Sequence, residues 1–172
     1  RGEETLMVGE GREAFAGGDQ TYLREKQYGT TANLDARTKL HVRYGTAEIE
    51  WFPWQASQLS WPSGSVLEVG CGTGSLWREG RPGVTDGLTL TDLSLGMVEA
   101  ASAAVGEAGY SVSGVVADAQ HLPVPSGSHA VVIANHMLYH VPEPSLAVAE
   151  LGRVLQADGI AVIATNGRRH LR

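Results

Sequence analysis

The sequence predicts an α/β domain built on a doubly wound, mostly parallel sheet with helices on both faces. Three observations lead there. From residue 65 onward, short apolar runs alternate with helix-like segments, the pattern of a parallel sheet wrapped by helices. The first run, Val66-Leu67-Glu68-Val69, passes straight into Gly70-Cys71-Gly72-Thr73-Gly74, a loop whose backbone can approach a ligand with no side chain in the way. Carboxylates then stand at the ends of the next two runs, Asp92 and Asp118, where open parallel sheets bind their ligands.

The elements follow in order. Residues 1–18 are rich in Gly and Glu with little apolar periodicity and read as a flexible arm. Residues 19–62 form an N-terminal helical segment. Helical patterning runs from Tyr22 to Gln27 and resumes at Asn33, a candidate N-cap, through Leu34, Leu40, His41 and Tyr44. Trp51, Phe52, Trp54 and Trp61 then crowd together, with Pro53 suited to opening a helix and Pro62-Ser63-Gly64 to ending it. This aromatic cluster is expected to pack its helix onto the core. The core domain spans 63–172, with strands predicted at 65–69, 88–91, 112–116, 130–134 and 159–164 and helices near 75–79, 94–106 and 144–155. Pro144 suits a first helical turn, and Asp158-Gly159 is expected to close the last helix.

Composition limits the function. A chain of 172 residues fits one domain with a real core. It contains neither a long apolar span nor a basic-then-apolar leader, so a cytoplasmic address with no membrane contact is expected. The one cysteine, Cys71, excludes an internal disulfide and a cysteine-based metal cluster, and between two glycines it reads as a small packing residue. No metal is expected. The net charge of −6, with scattered Lys and Arg, argues against a nucleic-acid partner.

The loop spacing is G-x-G-x-G. A dinucleotide fingerprint, G-x-G-x-x-G, needs glycine where Ser75 stands, which weakens a dehydrogenase reading, as does Glu68 before the loop. Asp92, in Leu88-Thr89-Leu90-Thr91-Asp92-Leu93-Ser94, can accept both hydroxyls of a ribose or cap a helix before Leu93. Asp118, in Val115-Val116-Ala117-Asp118-Ala119, stands where an adenine amino group could donate to it. The fourth strand leaves through Ala134-Asn135-His136-Met137-Leu138-Tyr139-His140-Val141, a polar and aromatic exit.

Over residues 65–167 these features resemble the class I S-adenosylmethionine-dependent methyltransferases, a Rossmann-like family. The segment Leu122 to Val141 is similar to the small-molecule branch that includes quinone-biosynthesis-type (methyltransferase type 11-like) enzymes, and Tyr28 to Trp54 resembles the helical lids of that branch. The resemblance implies S-adenosyl-L-methionine as cofactor, its methionine part cradled by Glu68, Gly70, Cys71, Gly72 and Gly74. It implies that Asp92 binds the ribose diol, that Leu93 and Met97 flank the adenine, and that Asp118 and Ala119 meet the adenine edge. Asn135 and His136 correspond to positions bordering the methionine amino group. The chain departs from the family at His129-Ala130, where Phe-Asp is usual, and it ends at Arg172 before the usual strands six and seven, so a cut or shortened protein is expected, as is residue lost ahead of Arg1.

A sulfonium methyl is already electrophilic, so alignment of an acceptor carries most of the catalysis. No catalytic residue is fixed by the sequence. His136, Tyr139 and His140 could orient or deprotonate an acceptor, with His41 or Tyr44 reaching across from the lid. The Asn/Asp-Pro-Pro-aromatic run of enzymes that methylate base amino groups is absent after strand four, and the sole cysteine lies in the cofactor loop, so a small-molecule acceptor is expected. A non-catalytic S-adenosylmethionine-binding module and an NAD-dependent oxidoreductase are the competing readings.

Overall fold

The computed structural model describes residues 19–28, 30–34, 36, 43–83 and 87–166. The arm at 1–18, Leu40 and His41 lie outside them. Five parallel strands make one sheet: β1 Val66–Val69, β2 Leu88–Asp92, β3 Val112–Val116, β4 His129–Asn135 and β5 Leu155–Ala164, in the order β3-β2-β1-β4-β5. The helices are α1 Gln20–Tyr22, running on as a π turn Leu23–Gln27, α2 Trp51–Ser57, α3 Leu95–Glu107 and α4 Pro144–Val154. A second π turn, Leu76–Gly80, follows the glycine loop.

The central strands β1, β2 and β4 are buried because helices cover both faces, and their alternate residues feed two cores, whereas the edge strands β3 and β5 stay largely exposed. Val66, Leu88, Leu90, Val131 and Ile133 pack with Leu76, Trp77, Ala101 and Val105 on one face. Leu67, Val69, Val132 and Ala134 pack with Ala147, Leu151 and Val154 on the other. The order reverses between β1 and β4, so the crevice for a ligand opens at their carboxyl ends. Arg153, near the end of α4 and beside the start of β5, fixes the long β3–β4 connection: it pairs with Glu150 at 2.6 Å and donates to the carbonyls of Leu122 and Val124 at 2.9 Å each.

Four local expectations are corrected. Helix α4 ends at Val154 and β5 begins at once, so Asp158-Gly159 closes no helix. Instead β5 bulges between the pairs His129↔Leu155 and Val131↔Ile160. Gly159 belongs to that bulge, where a Cβ would lie 2.9 Å from the Ala130 carbonyl oxygen. Helix α2, capped by Glu50, ends at Ser57, so Pro62-Ser63-Gly64 lies well beyond its end and does not close it, while Pro53 does stand in its first turn. Phe52 and Trp61 pack on the core as expected, but Trp51 and Trp54 are 39% and 42% exposed. Asn33 lies inside the helical residues 32–34, and its side chain donates back to the carbonyls of Lys26 and Gln27, closing the preceding turn. His129, at the family departure, is buried with its ring hydrogen-bonded to Ser128 at 2.8 Å.

Candidate functional site

The glycine loop turns the chain from β1 toward α3. Gly70, Gly72 and Gly74 all adopt left-handed φ, +70°, +53° and +71°, which side-chain-bearing residues rarely hold. Each also faces a different neighbour. A Cβ on Gly70 would meet Met137 at 2.7 Å, one on Gly72 would meet Leu34 at 3.0 Å, and one on Gly74 would meet Val105 at 2.6 Å. The amides of Gly70 and Cys71 donate to the Thr91 carbonyl at 2.8 and 2.9 Å, holding the loop against the end of β2.

Asp92 ends β2 beneath this loop. Its Oδ2 accepts from the Gly72 amide at 3.1 Å and its Oδ1 from the Ser94 amide at 2.9 Å. The helix cap itself is Ser94, whose hydroxyl accepts from the Met97 amide at 3.4 Å, so Asp92 is left for another role. Burial raises its pKa, against the pull of these amides. Asp118 stands alongside, because the Ala117 amide donates to the Asp92 carbonyl at 2.9 Å. Burial raises the Asp118 carboxyl, but hydrogen bonds from the Gln120 backbone, Gln20 and the Gln120 side chain, with His121 nearby, bring it below the ordinary value.

Glu68 lies inside, 3% exposed, and the Trp77 indole donates to its Oε2 at 2.5 Å. Burial pushes its carboxyl up to about 8; hydrogen bonds from Trp77 and Asn135 oppose the rise and the Asp92 charge adds to it. The Cys71 thiol is buried and its pKa is raised, first by burial and then by Asp92 and Glu68, which leaves it the inert packing group expected. Asn135 ends β4, and the amide of His136 donates to the Ala164 carbonyl at 2.9 Å. His136 holds φ +52°, and its ring lies 5.3 Å from that of Trp51. Tyr139 and His140 follow on the turn Leu138–His140, ring centroids 4.4 Å apart, with the Tyr28 hydroxyl 3.0 Å from His140 Nε2.

The fold therefore gathers Glu68, the glycine loop, Asp92, Asp118, Asn135 and His136 at one edge of the sheet. Leu93 is half-buried there. Met97 is 1% exposed and Ala119 packs with Leu122 in the second core. Tyr44 is 68% exposed. Trp77 and Gln55 are site residues that sequence reasoning passed over; Gln55 could have been found as a polar residue on the Phe52 and Ala56 face of α2.

Residues 67–163 match the family model described as a methyltransferase domain. The chain belongs to the methyltransferase domain family. Among curated members it is 34% identical over 104 residues to a ubiquinone biosynthesis O-methyltransferase of Thiobacillus denitrificans, covering 60% of this chain and 44% of that protein. It is 33% identical over 101 residues to a malonyl-[acyl-carrier protein] O-methyltransferase of Hahella chejuensis, covering 58% and 36%. The methyltransferase domain thus spans less than half the length of these relatives. Its fold is shared with the crystal structure of the [4+2]-cyclase SpnF, at a TM-score of 0.61 and 25% identity over 75% of this chain and 53% of that one. No helix among the described residues is long and apolar enough to cross a membrane.

Proposed function

We propose that this domain binds S-adenosyl-L-methionine and transfers its methyl group to a small-molecule acceptor by in-line displacement. The observation that carries the reading is the state of the Asp92 carboxylate. Its oxygens accept the backbone amides of Ser94 and Gly72, with the Leu93 amide also turned on the carboxylate, and no side chain is among these donors, so of about four acceptor positions one is kept for a ribose hydroxyl. The residues present fit the cofactor elsewhere too. Gly70 and Gly72, half-buried and left-handed, carry the loop past Asp92, and Glu68 and Asn135 are hydrogen-bonded across the adjacent strands β1 and β4.

When bound, the cofactor supplies a methyl group made electrophilic by its sulfonium. The chain has then to hold an acceptor in line and keep water out, a contribution worth roughly 7–11 kcal/mol in well-oriented systems. Trp51, tilted against His136 and 5.2 Å from Trp54, offers a flat apolar wall beside the strand-four exit. His136, Tyr139 and His140 stand there to orient an acceptor or take its proton.

Calorimetric titration of the intact protein with S-adenosylmethionine, joined to an assay for S-adenosylhomocysteine over a panel of acceptors, tests the proposal. Binding with turnover is expected. A melting shift with NAD and none with S-adenosylmethionine would overturn it. Tight binding without turnover would favour a second reading, a donor-binding module with no transfer of its own, which the likeness to a protein described as a cyclase also supports.

A further inference from the structure

The segment Gln20 to Leu34 touches the carboxyl edge of the sheet at several points. Ser94 donates its hydroxyl to the Tyr28 carbonyl at 2.7 Å, Tyr28 meets His140, and Leu34 lies over Gly72. The contact at Asp118 differs in kind. Its Oδ1 accepts from the Gln120 amide at 2.9 Å and from Gln120 Nε2 at 3.1 Å, while its Oδ2 accepts from Gln120 Nε2 at 3.0 Å and from Gln20 Nε2 at 2.9 Å. A carboxylate offers about four acceptor positions, so Asp118 is saturated where Asp92 is not. Gln120 is a near neighbour in the chain and its bonds form a local turn. Gln20 reaches Asp118 from 98 residues away.

We propose that Gln20 is an internal substitute for the amino group of an adenine nucleoside, so that the segment carrying it is a latch the ligand displaces. The inference rests on the donor reading above. A primary amide presents the same N–H donor to Asp118 Oδ2 that an exocyclic aromatic amine presents, and the saturated carboxylate cannot accept both. Displacement of Gln20 frees its end of the segment, which begins at the Asp19 cap: Asp19 accepts from the Tyr22 amide at 3.0 Å through its side chain and from the Leu23 amide at 2.9 Å through its carbonyl. Ligand entry at β3 is thereby linked to movement of the strand of chain that also meets Ser94 and His140. The ligand class is specific: an adenine with a free amino group exchanges for Gln20, and a hypoxanthine analogue, with oxygen at that position, does not.

The test compares S-adenosylhomocysteine binding to the wild type and to Gln20→Ala by calorimetry, with amide exchange of residues 20–28 followed in both states. The latch predicts binding about two- to tenfold tighter in Gln20→Ala, the effect of removing one ordinary competing hydrogen bond. It also predicts faster exchange at Tyr22 and Leu23 of the wild type when ligand is added. Equal or weaker binding by Gln20→Ala, or increased protection of the segment on binding, overturns the latch while leaving the donor reading intact. Absence of binding by both proteins overturns the donor reading and the latch with it.

Discussion

The side-chain amides of Gln55 and Asn135 hydrogen-bond to each other twice, at 2.6 and 3.1 Å, joining helix α2 to the end of β4. Gln55 is 4% exposed, so truncating Asn135 leaves its buried amide unpaired, while truncating Gln55 takes two hydrogen bonds from the half-buried Asn135. Gln55→Ala and Asn135→Ala should each destabilise the domain by about 1–3 kcal/mol. The double variant should lose less than their sum, with a coupling of at least about 0.5 kcal/mol. Urea denaturation of the four proteins measures it, and strict additivity would count against the pair as the link between helix and sheet.

Glu68 makes stability depend on pH. Its carboxyl is raised from 4.5 to about 8 in the fold, first by burial. The folded state therefore holds its proton where the unfolded state has released it. The contribution is fully present below pH 4.5 and is lost as pH rises through about 8. Between those limits each pH unit removes up to about 1.4 kcal/mol. Thermal melts of Glu68→Gln should be flatter than wild type over that range; identical slopes would show that Glu68 is ionised in the fold.

Asp92→Ala should weaken binding of S-adenosylmethionine by about 1.5–3 kcal/mol, the worth of hydrogen bonds to a charged group. Circular dichroism should confirm retention of the fold. An unchanged dissociation constant would refute its ribose role.

Gly72→Val combines two costs. A β-branched residue is strained at φ +53°, by about 1–3 kcal/mol, and its Cβ falls 3.0 Å from Leu34 Cδ2. Binding should disappear in calorimetry while the melting temperature falls only modestly. Retained affinity would mean that no ligand lies against the loop.

The sheet was legible because its physics is local. Strands β1, β2 and β4 are short apolar runs that must be covered on both faces, and each was placed to within a residue or two. The Asp158-Gly159 expectation failed because helix ending and β-bulge both use glycine, and only the register of β4 against β5 distinguishes them. The site was half legible. Glycines and strand-end carboxylates follow from backbone geometry, whereas Trp77 on Glu68, Gln20 on Asp118 and Gln55 on Asn135 are contacts between distant segments that no spacing encodes.

Gly74 faces away from its two companions, toward Val105 on α3. An engineer who randomises the loop as one block, seeking room for an enlarged donor analogue, would be redesigning a helix contact without intending to. Most such libraries would fail at expression for a reason unrelated to the donor. Holding Gly74 fixed separates the two tasks and leaves the neighbouring loop positions open to selection.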